Sequence, residues 1–322
     1  MTTSLTSLPT TFTLGGDLTV NRFGYGAMHL TGPGVWGPPG DPDNAIRLLR
    51  HAVHERGVNF IDTADSYGPG HNEEIIRRAL HPYPEDLVIA TKGGMLRTGP
   101  DDWAHAKDRA PYTVALGRPA YLRQQVELSL HRLGRDRIDL YQLHRIDPLV
   151  PLADQLGVLA DLRRQGKIRH LGLSGQPGVT VEQLEQARRI VDIAAVQNLY
   201  NIADRSGEAA LAHTERLGIA FIPWFPLGHG ELVGPNGVLT RAAARHPFTG
   251  AQLGLAWLLR RSPNVLLIPG TTSIAHLDEN LDASRVRLTD AQWAEAEALC
   301  TQAGPWCPAP AAAPARDEKE PA

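Results

Sequence analysis

Short apolar runs alternate along this chain with longer stretches whose apolar positions recur at helical spacing. The runs are Arg22–Leu30, Phe60–Ile61, Leu87–Ala90, Ile138–Leu143, His170–Ser174, Ala194–Leu199, Ala220–Trp224 and Val265–Pro269. Helical spacing marks Asn44–Arg56, Glu73–Leu80, Pro119–Leu133, Leu152–Arg164, Val181–Ile190, Gly207–Leu217 and Gly250–Arg261, and the series ends with Ile274–Leu281. Eight strand candidates, each followed by a helix, require a parallel sheet, and the unbroken repetition favours closure into a barrel. Ahead of the first run, Phe12-Thr-Leu and Leu18-Thr-Val flank Gly15-Gly-Asp, which predicts a hairpin covering one barrel end. Leu288–Leu299 reads as an extra helix that Thr289 or Asp290 can cap. The expected architecture is an α/β (β/α)8 barrel in one domain, residues 1–303, followed by a Pro/Ala-rich and then charged tail, residues 304–322, of disordered type.

Composition narrows the function classes. Among 322 residues, 32 basic side chains against 35 acidic ones leave a net charge of −3. That balance supplies no footprint for nucleic acid or for an anionic membrane. Two cysteines, Cys300 and Cys307, imply neither a disulfide framework nor a metal cluster. The N-terminal stretch lacks a basic segment followed by an apolar core, and no apolar run reaches membrane-spanning length. The expectation is a soluble cytoplasmic protein with a small-molecule partner.

Chemistry gathers at the ends of the runs. Asn59-Phe-Ile-Asp62 breaks into a polar loop that presents Tyr67; Val88-Ile-Ala-Thr leads to Lys92; Ile138–Leu143 leads to His144. Neighbouring strand ends converge on one barrel rim, so an acid, a phenol, an amine and an imidazole are expected to meet there. Lys92 alone reads as a snorkelling amine, whereas a carboxylate at Asp62 makes a buried ammonium tolerable. Beside that ammonium the Tyr67 phenol is expected to titrate below its usual value near ~10, as suits a general acid. Further along, Ser174, Gln197 and Asn201 offer hydroxyl and amide groups, and Trp224 offers a flat indole ahead of Phe-Pro226-Leu227-Gly228. After the last run, Gly270, Thr271, Thr272 and Ser273 open a helix, which reads either as a phosphate cradle or as a helix cap. Neither a strand-linked G-x-G-x-x-G nor a P-loop fingerprint is present.

Asp62-Thr-Ala-x-x-Tyr67, Lys92 and His144 together resemble the catalytic tetrad of the aldo-keto reductases, and the likeness extends through Gly172-Leu-Ser174, Gln197–Asn201, Pro226–Gly228 and Ile268-Pro-Gly-Thr271. The resemblance implies NAD(P)H lying across the rim, Tyr67 as proton donor with its pKa lowered by Lys92 and Asp62, and His144 orienting a carbonyl. It implies Trp224 stacked on nicotinamide, Ser174 and Gln197 (rather than Asn198) near the carboxamide, and Glu279 with Asn280 at the adenine. The chain departs from the family at Gly175 in place of an asparagine, at Gly270 in place of a lysine, and at His276 in place of an arginine that pairs with the 2′-phosphate. That weakens the cationic clamp favouring NADPH; NADPH remains the expected cofactor, with NADH open. Met28, His29, Trp36 and Trp103 are expected to wall an aryl-aldehyde pocket, and the Gly32–Pro39 loop looks like a bacterial branch containing pyridoxal reductases. The alternatives are a nucleotide-binding redox sensor with little turnover and a Schiff-base enzyme using Lys92.

Overall fold

A computed structural model of the protein describes residues 9–101 and 112–301. Trp103 and the tail from residue 304 lie outside the described residues. The chain opens on an antiparallel hairpin, β1 (Thr11–Leu14) and β2 (Leu18–Asn21), turned by Gly15 and Gly16 at positive φ. Seven parallel strands then pair in chain order: β3 (Tyr25–Gly26), β4 (Phe60–Asp62), β5 (Val88–Gly93), β8 (Ile138–Leu143), β9 (Ile168–Ser174), β10 (Ile193–Leu199) and β11 (Ala220–Trp224). A side hairpin, β6 (Met95–Arg97) with β7 (Thr113–Ala115), branches off between β5 and β8; its short runs gave no sequence signal.

The eighth stave is the segment 264–269. It makes single bridges on both flanks instead of a continuous ladder. On one side the Phe221 N–H donates to the Asn264 carbonyl and the Leu266 N–H to the Phe221 carbonyl, both at 2.9 Å. On the other the Gly24 N–H donates to Leu267 and the Leu267 N–H to Arg22, both at 2.8 Å. The sheet therefore closes into an α/β (β/α)8 barrel. In the first run the ladder to β4 is confined to Tyr25–Gly26 and Phe23 bridges Leu267, so pairing stops short of the expected Leu30, where Met28–Leu30 coils into a 3₁₀ turn. Glycine is needed at Gly26: a Cβ there would lie 2.4 Å from the Ile268 carbonyl across the closure.

Outside the sheet lie α1 (Pro42–Arg50), α2 (His71–Leu80), α3 (Pro119–Leu133), α4 (Leu152–Arg164), α5 (Val181–Arg188), α6 (Glu208–Leu217), α7 (Val238–Ala243), α8 (Gly250–Arg261), α9 (Ile274–Asp282) and α10 (Asp290–Thr301). Caps define where several begin. Asp41 accepts from the Asn44 N–H at 2.9 Å, with Pro42 in the first turn, so α1 starts ahead of the expected Asn44. Past Arg50 it widens into a π-turn through Glu55. Thr180 with Gln183 and Thr249 with Gln252 form reciprocal capping boxes on α5 and α8. Sequence periodicity missed α7, a helix of 6 residues behind the turn-forming Gly234-Pro-Asn-Gly237.

The barrel interior sets up the site. Strand side chains alternate between faces, and the inward positions at the N-terminal end are apolar. Leu14 and Val20 of the hairpin plug that end against Phe60, Leu140, Ile222 and Leu266. Two residues further along each strand the inward position turns polar: Phe60 gives way to Asp62, Ala90 to Lys92, Leu140 to Gln142 and Ala195 to Gln197. The intervening inward position of β9 is Gly172, where a Cβ would lie 3.0 Å from the Gln142 Cγ. A layer of hydrocarbon thus supports a layer of interacting polar groups.

Candidate active site

Lys92 is the centre of that polar layer. Its Nζ donates to Asp62 Oδ2 at 2.5 Å, to the Thr63 carbonyl at 2.9 Å and to the Tyr67 hydroxyl at 3.4 Å. The amine is 0% exposed and Asp62 2% exposed, so the pair is shielded from water and neither partner would be tolerated alone. The second Asp62 oxygen accepts from Gln142 Nε2 at 3.1 Å and Gln197 Nε2 at 2.9 Å. Gln142 was not anticipated from the sequence; its one signal is that it lies in the inward register of β8, opposite Lys92. Tyr67, 8% exposed, sits on the loop after β4 and meets the His144 ring edge to face, centroids 5.9 Å apart. His144 also lies 3.4 Å from the Ser66 hydroxyl through Nδ1.

Electrostatics sharpen these roles and correct one expectation. Tyr67 was expected below its usual pKa; it lies above, because burial outweighs the attraction of Lys92 and the Asp62 charge adds to the rise. For Lys92, burial pulls downward, but the attraction of Asp62 and Tyr67 prevails and holds the ammonium above its ordinary value. A charged amine is no nucleophile, which counts against Schiff-base chemistry. Burial, with the nearby cations Lys92, Arg145 and Arg97, keeps His144 well below the usual imidazole range and neutral at pH 7.

One backbone position behind this centre is tight. A Cβ at Gly93 would fall 1.9 Å from the buried Tyr141 hydroxyl and 3.2 Å from Asp65 Oδ2. Gly93→Ala is therefore expected to cost roughly 1–3 kcal/mol, typical of overpacking, read as a lower urea midpoint at unchanged slope. An unaltered midpoint would mean that Tyr141 moves aside freely.

A cavity of about 660 Å³ opens over Asp62 and Tyr67, while Lys92 and His144 stay behind its lining. Asp62, Tyr67 and Gln197 lie at its deep end, Trp224, Pro226 and Leu227 along one wall, Gly26 and Gly270 along the other, and Thr249, His276, Glu279 and Asn280 at the far end. Its size is that of a small-molecule site. Met28, His29 and Thr271 also line it. Several expected contacts fall elsewhere. Trp36 is 39% exposed and outside the lining, since the Gly/Pro loop turns its indole towards solvent. Ser174 is buried at the end of β9, paired in register with Gln197, and Gly228 likewise stays behind the lining. The Asn198 amide is taken up by the Val179 backbone, accepting at 2.8 Å and donating at 3.0 Å. Of the two readings for the α9 entrance, the cap holds for Ser273, whose hydroxyl accepts from the His276 N–H at 3.4 Å. Thr271 Oγ1 accepts from the Ser273 N–H at 3.1 Å, and Thr272 faces a neighbouring, smaller cavity. Sequence reasoning missed Phe225, His229, Thr240 and Phe248 of the lining, which come from irregular segments and α7.

No group of three or more His, Cys, Asp or Glu is placed to hold a metal among the described residues, and no helix there is long and apolar enough to cross a membrane.

The model of the aldo/keto reductase family matches residues 22–300. The chain belongs to that family. It is an oxidoreductase of the aldo/keto reductase type, and its relatives agree. It is 46% identical over 289 residues to pyridoxine 4-dehydrogenase of Escherichia coli, covering 87% of this chain and 94% of that enzyme. It is 44% identical over 280 residues to an uncharacterised oxidoreductase of Schizosaccharomyces pombe, covering 87% of each. Among solved structures, an aldo-keto reductase of Klebsiella pneumoniae in complex with NADPH superposes with a TM-score of 0.72 at 27% identity, covering 90% of this chain and 94% of that one.

Proposed function

We propose that the protein reduces a small aldehyde or ketone to the alcohol with NADPH, Tyr67 delivering the proton. The observation that carries this reading is the Lys92 ammonium held between Asp62 at 2.5 Å and the Tyr67 hydroxyl at 3.4 Å, beneath a cavity of about 660 Å³ lined from Tyr67 to Asn280. The lining suits the cofactor. Trp224 gives a flat surface on one wall, and the Thr249 and Glu279 side chains with Asn280 give polar partners at the far end. The close backbone approach at Gly270, where a Cβ would lie 2.7 Å from the Gly26 carbonyl, keeps the middle narrow. The NADPH in the Klebsiella pneumoniae relative supports the same choice.

Seated there, the reduced nicotinamide supplies a hydride. The chain's own groups handle the proton. The raised pKa keeps Tyr67 a neutral phenol at pH 7, the form that has a proton to give. Lys92, itself anchored by Asp62, stabilises the phenolate left behind. His144, neutral through burial, directs an N–H at the carbonyl oxygen and fixes its approach to Tyr67. Gln142 and Gln197 hold Asp62 in place, so the chain of bonds from amide to carboxylate to amine to phenol is preset before substrate arrives.

For the substrate we favour an aromatic aldehyde of the pyridoxal kind, because Met28, His29, Trp224 and Phe225 border the mouth and because of the 46% identity to pyridoxine 4-dehydrogenase. The test is a titration of NADPH and NADH against tryptophan fluorescence, followed by assays with pyridoxal, 4-nitrobenzaldehyde and a keto-sugar. Quenching by NADPH and turnover of the aryl aldehydes are expected. A preference for NADH overturns the cofactor choice, and activity on the sugar alone overturns the substrate class.

A further inference from the structure

The cavity has no lysine or arginine among its described lining residues, and neither has the smaller cavity, about 480 Å³, that adjoins it beside Asp41 and Thr272. An extended dinucleotide carries a doubly negative diphosphate at its middle, and burying such charge without a countercharge is costly. Two histidines of the lining stand at the narrow approach of Gly26 and Gly270. His29 abuts the Gly270 backbone, where a Cβ would lie 3.1 Å from its Cδ2, and His229 reaches over from the loop after β11. Both line both cavities. Their rings meet edge to face with centroids 5.2 Å apart. His229 in turn meets Phe225 at 5.1 Å, and Phe225 meets Trp224 at 5.0 Å. Four rings thus form a strap across the mouth, from the end of β3 to the indole. Phe225 and His229 both hold φ near 52°, a left-handed conformation uncommon away from glycine and typical of functional sites.

We propose that His29 and His229 form a latch that binds the diphosphate of the dinucleotide, and that seating the cofactor draws a proton onto this pair. The proposal rests on the dinucleotide reading of the cavity given above. In the protein by itself burial, with His229 alongside, holds His29 down at about 4, and burial also lowers His229. Both rings are then neutral at pH 7. A diphosphate against them raises both. Other ionisable groups of the first cavity are Asp62 and Tyr67 at the deep end and His276 and Glu279 at the far end; Asp41 is that of the second. Glu231, just beyond in the strap, favours the charged form of His229 but does not offset burial. The sign follows. A pair whose affinity for protons is higher in the complex makes binding tighten as pH falls through the complex's pKa, and the gain ends below about 4, where His29 of the free protein is protonated too.

Calorimetric titration of the full chain with NADH and with NADPH, in buffers of low and high ionisation enthalpy, measures the proton directly. Uptake of roughly one proton per dinucleotide near neutral pH is expected with both, together with a Kd that falls by up to about tenfold per pH unit on acidification. NADH lacks the 2′-phosphate, so its uptake cannot originate at His276. His29→Gln and His229→Gln are each expected to weaken binding roughly 10–100-fold, the usual worth of a hydrogen bond to a charged group, and the double variant to abolish uptake. Binding without proton exchange in the unaltered chain overturns the latch, as does uptake that persists in the double variant. Absence of any binding, by calorimetry and by tryptophan fluorescence, instead overturns the dinucleotide reading itself.

Discussion

Replacing Tyr67 with phenylalanine is expected to lower kcat for aldehyde reduction by roughly 10²–10⁴-fold, the range lost when a placed general acid is removed. The substitution takes away one hydroxyl from a ring that stays packed against His144, 5.9 Å between centroids. Cofactor affinity is expected to survive, since the hydroxyl contacts Lys92 rather than the outer cavity. The pH profile provides a second readout. Burial raises the Tyr67 pKa, so the phenol stays protonated through neutrality and reduction by the unaltered enzyme should hold level there. The rate should decline only in alkali, as the phenol loses its proton. Near-normal turnover by Tyr67→Phe would remove Tyr67 from the role, whereas a rate that drops between about pH 6 and pH 8 in the parent but not in Tyr67→Phe would overturn the raised pKa.

Lys92→Met should damage both stability and rate. The ammonium is fully buried and faces a carboxylate that is itself 2% exposed. Stripping one partner from such a pair leaves an uncompensated buried charge, which costs about 3–5 kcal/mol in comparable cases. Gln142 and Gln197 still donate to Asp62 and place the loss at the lower end of that range. Equilibrium urea unfolding of the single variant and of the double variant Lys92→Met/Asp62→Leu separates the contributions. The double variant should regain part of the loss, because no charge remains to desolvate. Full recovery is not expected, since both glutamine amides then lack their acceptor. A single variant as stable as the parent would show that Asp62 finds water or a proton without penalty.

How far the sequence reached depended on the range of the interaction concerned. Helices with strong periodicity and local end signals were legible to the residue at Pro119–Leu133, Leu152–Arg164 and Gly250–Arg261, because caps and apolar spacing act within one or two turns. The barrel class was legible for the same reason, as a count of alternating elements. Where strands are short the reading failed: the β6–β7 hairpin and the six-residue α7 carry too few side chains to show a period.

At the site, the sequence by itself determined which groups stand at the rim. Asp62, Lys92, Gln142 and Gln197 each follow an inward apolar residue by two, and strand alternation alone then brings them to one layer. Tertiary structure decided what that layer does to them. The fall expected for the Tyr67 phenol came from pairing it with Lys92, but its pKa rises because the fold excludes water from the ring, and desolvation is summed over every neighbour in space. The same holds for Trp36, facing solvent although the chain places it beside the mouth, and for His29 with His229, far apart in sequence and 5.2 Å apart in the barrel. Local pattern sets direction along a strand; only the closed barrel sets distance, burial and hence charge.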